Sequence, residues 1–441
     1  MEVNMKKSTA AIALVALMIF ALSPSAHGSG FLIYEHGAAA MAMAGAFVGL
    51  ANDATAIFHN PAGIAFLEGT QVSAGVTLIF PNTTLALDDW PVAAYQSIDL
   101  ESQVFYPPTF YITHKLSDKI VAGFGFFAPY GLGTEWPDPT NFPLRYIATR
   151  SNMQTLIFNP TIAFKLNDNL SVGAGVSYIH SSLELDLTYL LDLTVIPPPI
   201  GPLGYYDVPI TVENTTGTAW AVNAGALYKG EKFSLGFNWR GGFTIDYDGD
   251  LNLDVSNVPI PIPENGTVVA PFSFPHVLGI GAAFNLSEQL ILTADVHYVL
   301  WSAFDVIEVE ADVPGLPIAL DFEPIDENFK DSFLIRAGVQ YQMNENFALR
   351  GGFLYDETPQ PVASMDTMLP DSDRWALTAG FGYNFGGFAI DVAYQFEPFK
   401  DRTSPNREIY LGDPITPLVN EGIGTYSSTA HLFGISFKYV F

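Results

Sequence analysis

Toward its end the chain alternates. Phe433, Ile435, Phe437, Tyr439 and Phe441 share one parity, and Leu432, Gly434, Ser436, Lys438 and Val440 share the other. A period of two sends such sets to opposite sides of an extended strand. The segment before it repeats the pattern, with Phe388, Ile390, Val392, Tyr394 and Phe396 against Ala389, Asp391, Ala393, Gln395 and Glu397. So does the one before that, with Trp375, Leu377, Ala379, Phe381 and Tyr383 against Arg374, Ala376, Thr378, Gly380 and Gly382. A soluble sandwich hides its large residues. Here the bulky aromatic parity is continuous while the other holds Gly, Ser, Thr and charge, the lipid-out, lumen-in arrangement of a transmembrane barrel.

The breaks between strands are of two kinds. Short polar turns fall at 116–119, 167–169, 229–232, 285–288, 343–346 and 384–387, each carrying Asn, Asp, Gly or Ser. Between them lie longer stretches rich in Pro and Asp, near 81–102, 129–150, 188–213, 249–270, 312–328, 358–371 and 400–425. Six turns and seven loops delimit fourteen strands. The expected fold is therefore an all-β membrane protein, a 14-stranded antiparallel transmembrane β-barrel over residues 70–441, with short periplasmic turns and long extracellular loops. Closure leaves no unpaired edge, which lipid could not hydrate. Phe441 ends its strand on the lipid face.

Two stretches fall outside that scheme. Lys6 and Lys7 precede an apolar run, Ala10 to Leu22, followed by small residues at Ala26 and Gly28. This reads as a secretory signal over 1–28, since the run is short for a span of about 20 residues. Residues 29–69 are Ala- and Gly-rich and alternate too weakly for strands. Met41, Met43, Phe47, Val48, Ile57 and Phe58 would sit poorly in water. They predict a small N-terminal hatch plugging the lumen, with a periplasmic tail as the alternative.

Composition then removes whole classes of function. A formal net charge of −28 repels phosphate backbones, so no nucleic-acid partner is expected. With 14% aromatic and only 15% charged residues, the acid excess is not the signature of disorder. The absence of Cys removes disulfides, thiolate metal sites and cysteine nucleophiles, and suits transit through an oxidising periplasm. No GxxxxGK phosphate loop occurs, and the eight His show no metal spacing, so neither a cofactor nor a metal is expected. The Asp-x-Asp-x-Asp run at Asp246, Asp248 and Asp250, with Asp254, lacks the Gly of a calcium loop and reads as solvated acidic loop. The Asn-x-Thr sequons at Asn82 and Asn214 read as chance.

Several motifs in order along the mature chain give it a relationship. They are Ser29-Gly30-Phe31, Ala44-Gly45-Ala46, Asn52-Asp53-Ala54-Thr55-Ala56, Asn60-Pro61-Ala62-Gly63, Pro107-Pro108-Thr109, the run Ala128 to Thr134, Asn159-Pro160 and Leu369 to Arg374. On these the chain resembles the fatty-acid transporter family of outer-membrane proteins, which also holds channels for toluene and related hydrocarbons. The resemblance implies a fourteen-stranded barrel blocked by an N-terminal hatch. It also implies that the hatch motif, here Asn60, Pro61 and Ala62, packs where the third strand is kinked and the wall opens laterally to the bilayer. The third strand would run from about Ile120 to Phe127. Gly inside a strand often marks a bend, so Gly123, Phe124 and Gly125 are the candidate kink, although Gly is common on lumen faces throughout.

A passive channel for long-chain fatty acids or similar lipophiles follows, with monoaromatic hydrocarbons as the alternative cargo. Burying alkyl chain yields roughly 0.8 kcal/mol per methylene, so an apolar groove captures such a solute unaided. Candidate lining comes from the first long loops: Tyr130, Leu132, Trp136, Phe142 and Leu190, with Trp90, Tyr95, Tyr189, Leu191 and Pro197 to Pro199 beside them. The same residues could simply shield the loops from water. A carboxylate would want a cation, and Arg336, Arg350 and Arg374 have inward parity on successive strands, as Arg240 has on another. Their alternative role is an ion-pair network with inward acids such as Asp356 and Asp391. No enzymatic constellation is readable, and the hatch and apolar loops disfavour a hydrophilic porin. The chain is expected as a monomer among outer-membrane lipid and lipopolysaccharide.

Overall fold

The computed structural model describes residues 30–87, 92–194, 201, 203–315, 324–404, 407–409, 418–421 and 424–441. The expected signal, residues 1–28, lies outside them, as do Trp90 and Pro197 to Pro199. Among the described residues fourteen strands form the wall: β1 (Thr70–Ala86), β2 (Pro108–Ser117), β3 (Ile120–Glu135), β4 (Arg150–Lys165), β5 (Leu170–Asp192) and β6 (Tyr205–Lys229). Then come β7 in two parts (Phe233–Arg240 and Phe243–Leu253), β8 in two parts (Asn265–Phe274 and Val277–Asn285) and β9 (Leu290–Val299). The wall ends with β10 (Ser332–Gln342), β11 (Phe347–Asp356), β12 (Arg374–Asn384), β13 (Phe388–Pro398) and β14 (Thr425–Val440). Each is antiparallel to the next, and β14 closes on β1 from Gln71↔Val440 to Ala86↔Thr425. The closed 14-stranded antiparallel barrel is the one the alternation predicts.

The turns form for a local reason. Asn167 Oδ1 accepts from the backbone N–H groups of Asn169 and Leu170, both at 2.9 Å, and Asn344 Oδ1 does the same for Asn346 and Phe347, both at 3.0 Å. Asn384 Oδ1 accepts from Gly386, which with Gly387 has φ of 84° and 97°, a left-handed turn that glycine adopts without strain. Leu235, Phe237, Ile280, Phe353, Leu377 and Phe433 are exposed apolar residues on the outer surface, as a wall against lipid requires.

At the opposite end the strands run on well past that belt, and their polarity inverts. In the first part of β7, Phe233, Leu235 and Phe237 point out while Ser234, Asn238 and Arg240 are buried. After Gly241-Gly242 the inward set is Phe243, Ile245, Tyr247, Leu251 and Leu253, and the outward set includes Thr244, Asp246, Asp248 and Asp250. β8 exchanges faces at Pro275-His276, opposite, so the two strands stay in register across the break. The acidic run expected as a loop is therefore a strand. Its outer face meets water rather than lipid, so acids belong outside and the apolar face turns inward.

Candidate ligand path and hatch

Residues 30–69 lie inside the barrel. They form two single-turn helices, α1 (Ala38–Met41) and α2 (Ala56–His59), and a 3₁₀ turn, Pro61–Phe66, nearly all of it buried. The wall makes room for this hatch with glycine. A Cβ on Gly236 would stand 2.1 Å from the carbonyl oxygen of Val48, one on Gly352 2.5 Å from the carbonyl carbon of Met43, and one on Gly380 2.6 Å from the Ala42 Cβ. At these three positions lumen-facing glycine is the imprint of the hatch.

The candidate hatch motif and the candidate kink do not meet as expected. Asn60-Pro61-Ala62 sits against β5 to β7. Asn60 Nδ2 donates to the carbonyls of Val48 (2.9 Å) and Ala226 (3.1 Å), Ser171 Oγ donates to Ala62 O (2.8 Å), and Gly173 and Gly225 open space for Pro61 and Asn60. The side chain against Gly123 and Gly125 is Ile57, whose methyl carbons would lie 2.8 and 2.9 Å from added Cβ atoms. Pairing runs unbroken through Gly123, Phe124 and Gly125 on both sides. The irregularity falls at Ala128-Pro129. There the β3–β4 register jumps from Phe127↔Ile157 to Tyr130↔Thr155, a bulge of two residues against Leu156.

The bulge has two consequences. It switches parity, so that Tyr130 and Leu132 turn inward above the odd-numbered Gly123 and Gly125. It also coincides with a gap between β2 and β3, whose pairing ends at Thr109↔Phe127. The preceding segment crosses instead to β1, where Phe105 pairs with Ile79 (N–H to O, 2.7 and 2.9 Å), and regains β3 at Glu101 N to Glu135 O (2.9 Å). The hatch fills the gap from inside. Ile33 N donates to Pro129 O (2.7 Å) and Gly131 N to Phe31 O (2.9 Å), so Phe31–Ile33 takes the place of a neighbouring strand.

Above the hatch the inverted strands enclose an apolar cavity of about 110 Å³. Phe31 forms its floor, with Leu132, Met153, Leu183, Tyr247 and Leu251 among its walls. Of the predicted lining, Leu132 faces the cavity, and Tyr130 lies one layer beneath, its ring 6.2 Å from Phe31. Trp136 and Phe142 stack on each other at 5.2 Å in a separate loop core, and Trp136 Nε1 donates to Thr367 O (3.0 Å). Leu190 is half-buried and does not line the cavity, although its neighbour Leu191 belongs to the apolar cluster that reaches the cavity wall at Val212 and Leu251. Phe304, Ile307 and Leu369, also on the cavity wall, were not foreseen, because they come from late loops with no alternation to mark them.

The arginines are inward but separate. Arg336 Nη1 donates to Gly45 O (3.2 Å), and its guanidinium lies 4.1 Å from the Tyr34 ring centre, pinning the hatch. Arg350 pairs with Asp391 (2.6 Å), which also meets Lys438 (3.0 Å), and Lys438 reaches Asp53 of the hatch. Arg374 binds Asp356 and Glu397 (2.8 Å), with Asp371 at 3.8 Å. None of the three lines the apolar cavity. Arg240 Nη2 donates to Phe58 O (2.8 Å). Burial lowers the pKa of His59 to about 4 and holds that of His36 well below its ordinary range, so both are neutral at pH 7.

Asp371, in the loop between β11 and β12, accepts from Gly30 N (3.1 Å) at the start of the hatch. Burial pushes its carboxyl up to about 6 from 3.8, against the opposing pull of Arg374. A raised carboxyl pKa means the folded chain binds the extra proton, so this group costs stability as pH climbs from 3.8 to about 6. Asp371→Asn is expected to remove that fall from the pH profile of urea unfolding. An unchanged profile would show that Asp371 is not the group responsible.

Residues 19–441 match the family described as outer membrane protein transport protein (OMPP1/FadL/TodX). A long-chain fatty acid transport protein of Escherichia coli O6:H1 is 25% identical over 457 residues, covering 97% of this chain and 98% of that protein. Among solved structures, a Pseudomonas aeruginosa FadL homologue superposes with a TM-score of 0.77 at 21% identity, covering 93% of this chain and 100% of that one. The Pseudomonas putida toluene transporter TodX gives 0.69 at 17% identity, over 92% and 99%.

Proposed function

Starting from the fact that the chain belongs to this family of outer-membrane transporters for hydrophobic compounds, we propose that its cargo is a long-chain fatty acid, captured by the extracellular loops and released sideways into the bilayer. The observation that carries this reading is the apolar cavity whose floor, Phe31, belongs to the same hatch segment that fills the gap beside β3. Capture and exit are thus coupled through three residues. Withdrawing Phe31–Ile33 lowers the cavity floor and uncovers the gap in one movement. No energy source is required, because the acyl chain moves from one apolar environment to another at roughly 0.8 kcal/mol per methylene kept out of water. The fatty-acid transport proteins among its relatives support the choice of cargo.

The test is uptake of labelled oleate and of labelled toluene by cells whose outer membrane carries this chain and no other such channel. Saturable oleate uptake is the expected result, and toluene uptake without oleate would assign the channel to monoaromatic hydrocarbons. Leu251→Asp puts a charge on a wall residue that is 1% exposed, and should lower oleate affinity at least about tenfold by the cost of burying it. Equal affinity would remove the cavity from the path.

A further inference from the structure

Two opposite charges face each other in the wall without meeting. In the β9–β10 register Asp295 stands directly across from Arg336, and each is 1% exposed. Side chains directly opposite on neighbouring strands start about 5 Å apart, close enough for a carboxylate and a guanidinium to join. Here they are turned elsewhere. Asp295 Oδ2 accepts from Val48 N (2.8 Å), and its Oδ1 is buried without a hydrogen-bond partner. Arg336 Nη1 donates to Gly45 O (3.2 Å), and its Nε and Nη2 are buried without one. Each charge thus leans onto one end of the hatch loop 45–49. Glycine makes room for both. A Cβ on Gly281, the β8 partner of Asp295, would stand 2.0 Å from Asp295 Oδ1, so the carboxylate lies toward β8 and away from Arg336 on its other side. A Cβ on Gly45 would stand 2.7 Å from Arg336 Nη1. Buried charges held apart are costly, and the backbone dipoles of the hatch offset only part of that cost.

We propose that Asp295 and Arg336 form a two-position latch: with the hatch seated each holds the loop, and with the hatch displaced they hold each other. The loop is what occupies them, through Val48 N on the acid and Gly45 O on the base. Its departure frees both side chains at once and lets them close as a cross-strand ion pair between β9 and β10. The pair replaces the bonds that the loop takes away, so the displaced hatch belongs to a defined second state of the wall. From that state the loop can return, because its two backbone partners compete for the same carboxylate and guanidinium. The latch acts on a different limb of the hatch from Phe31–Ile33, and it operates whichever cargo the channel carries.

The test uses the absence of cysteine from the chain. Ala46 lies in the hatch loop and is 0% exposed, so in an Ala46→Cys background the rate of maleimide labelling of the full folded protein reports displacement of the loop. Asp295→Asn and Arg336→Gln keep an acceptor for Val48 N and a donor for Gly45 O while removing the charges. Each change alone forfeits the whole ion pair of the displaced state, so the second change has no pair left to remove. The double variant should therefore label about tenfold faster than the product of the two single effects predicts, as for a charged pair in contact. Effects that multiply would overturn the latch. A double variant slower than the product would also overturn it, by placing the coupling in the seated state. Gly281→Ala is a second measurement that leaves both charges in place. Its Cβ drives the carboxylate off β8, so labelling should speed up, and should speed up less when Arg336→Gln denies the carboxylate its new partner. Equal acceleration with and without Arg336 would overturn the exchange and leave steric pressure on the loop as the whole effect.

Discussion

Replacing Arg374 with alanine is expected to destabilise the barrel by about 3–5 kcal/mol, the range for breaking a buried ion pair by removing one partner. Arg374 is 3% exposed and stands among Asp356, Glu397 and Asp371. Without it, carboxylates from β11, β13 and the loop before β12 face one another with no cation between them. They must then ionise at high cost or take up protons. Arg374→Lys keeps the charge but loses the planar fork that serves Asp356 and Glu397 together, so a smaller loss is expected. Denaturant unfolding followed by tryptophan fluorescence measures both. A loss below about 1 kcal/mol for the alanine variant, a surface-pair value, would mean that water already reaches the cluster.

Arg374 also shows what the sequence made legible and what it could not. Its parity placed it in the lumen, as it did Arg336 and Arg350, because strand periodicity fixes the face of each residue. Which acids it meets depends on how three strands and a loop are staggered around a closed wall, and no local pattern encodes that. The turns were readable because Asn167, Asn344 and Asn384 act on backbone two and three residues away. Gly123 and Gly125 were readable as special but not in kind. Glycine serves a bend and a close approach equally, and here it admits Ile57. The bend lay at Ala128-Pro129, where proline lacks the N–H that pairing needs. The run of Asp246, Asp248 and Asp250 was read by composition as loop although its intervening residues alternate with it. Expecting apolar residues to face outward everywhere concealed a strand that had left the bilayer and reversed its polarity.

That reversal ties fold to function. Within the bilayer belt the lumen face is small and polar, and it receives a hatch held by backbone contacts. Beyond the belt the lumen face is apolar, and it forms the cavity. One wall therefore provides both the seat of the hatch and the cavity, with the face exchange at Gly241-Gly242 and Pro275-His276 between them. Phe274, just before that exchange, packs against Phe31 at 5.6 Å and Tyr130 at 4.9 Å, where cavity and hatch meet.

If the hatch is held by fit to glycine, one side chain should unseat it. Gly236→Val would place a Cβ 2.1 Å from the Val48 carbonyl oxygen and 2.7 Å from its carbon. The obstacle is backbone, so no rotamer relieves it. Moving the loop around Val48 breaks a connected set of bonds: Val48 N to Asp295 (2.8 Å), Asn60 Nδ2 to Val48 O (2.9 Å), and Ser234 Oγ to Gly49 O (2.5 Å). The wall needs none of these, since β7 pairs with β6 and β8 through its own backbone. The expected variant is a folded barrel with a displaced hatch. It should retain the heat-dependent shift in gel mobility of a folded barrel yet conduct ions across planar bilayers well above the wild-type level. Gly351→Ala is the control, because its Cβ would meet nothing nearer than 3.6 Å. Wild-type conductance in a correctly folded Gly236→Val protein would show that the hatch yields without leaving, and that glycine at this wall is a matter of comfort rather than of seating.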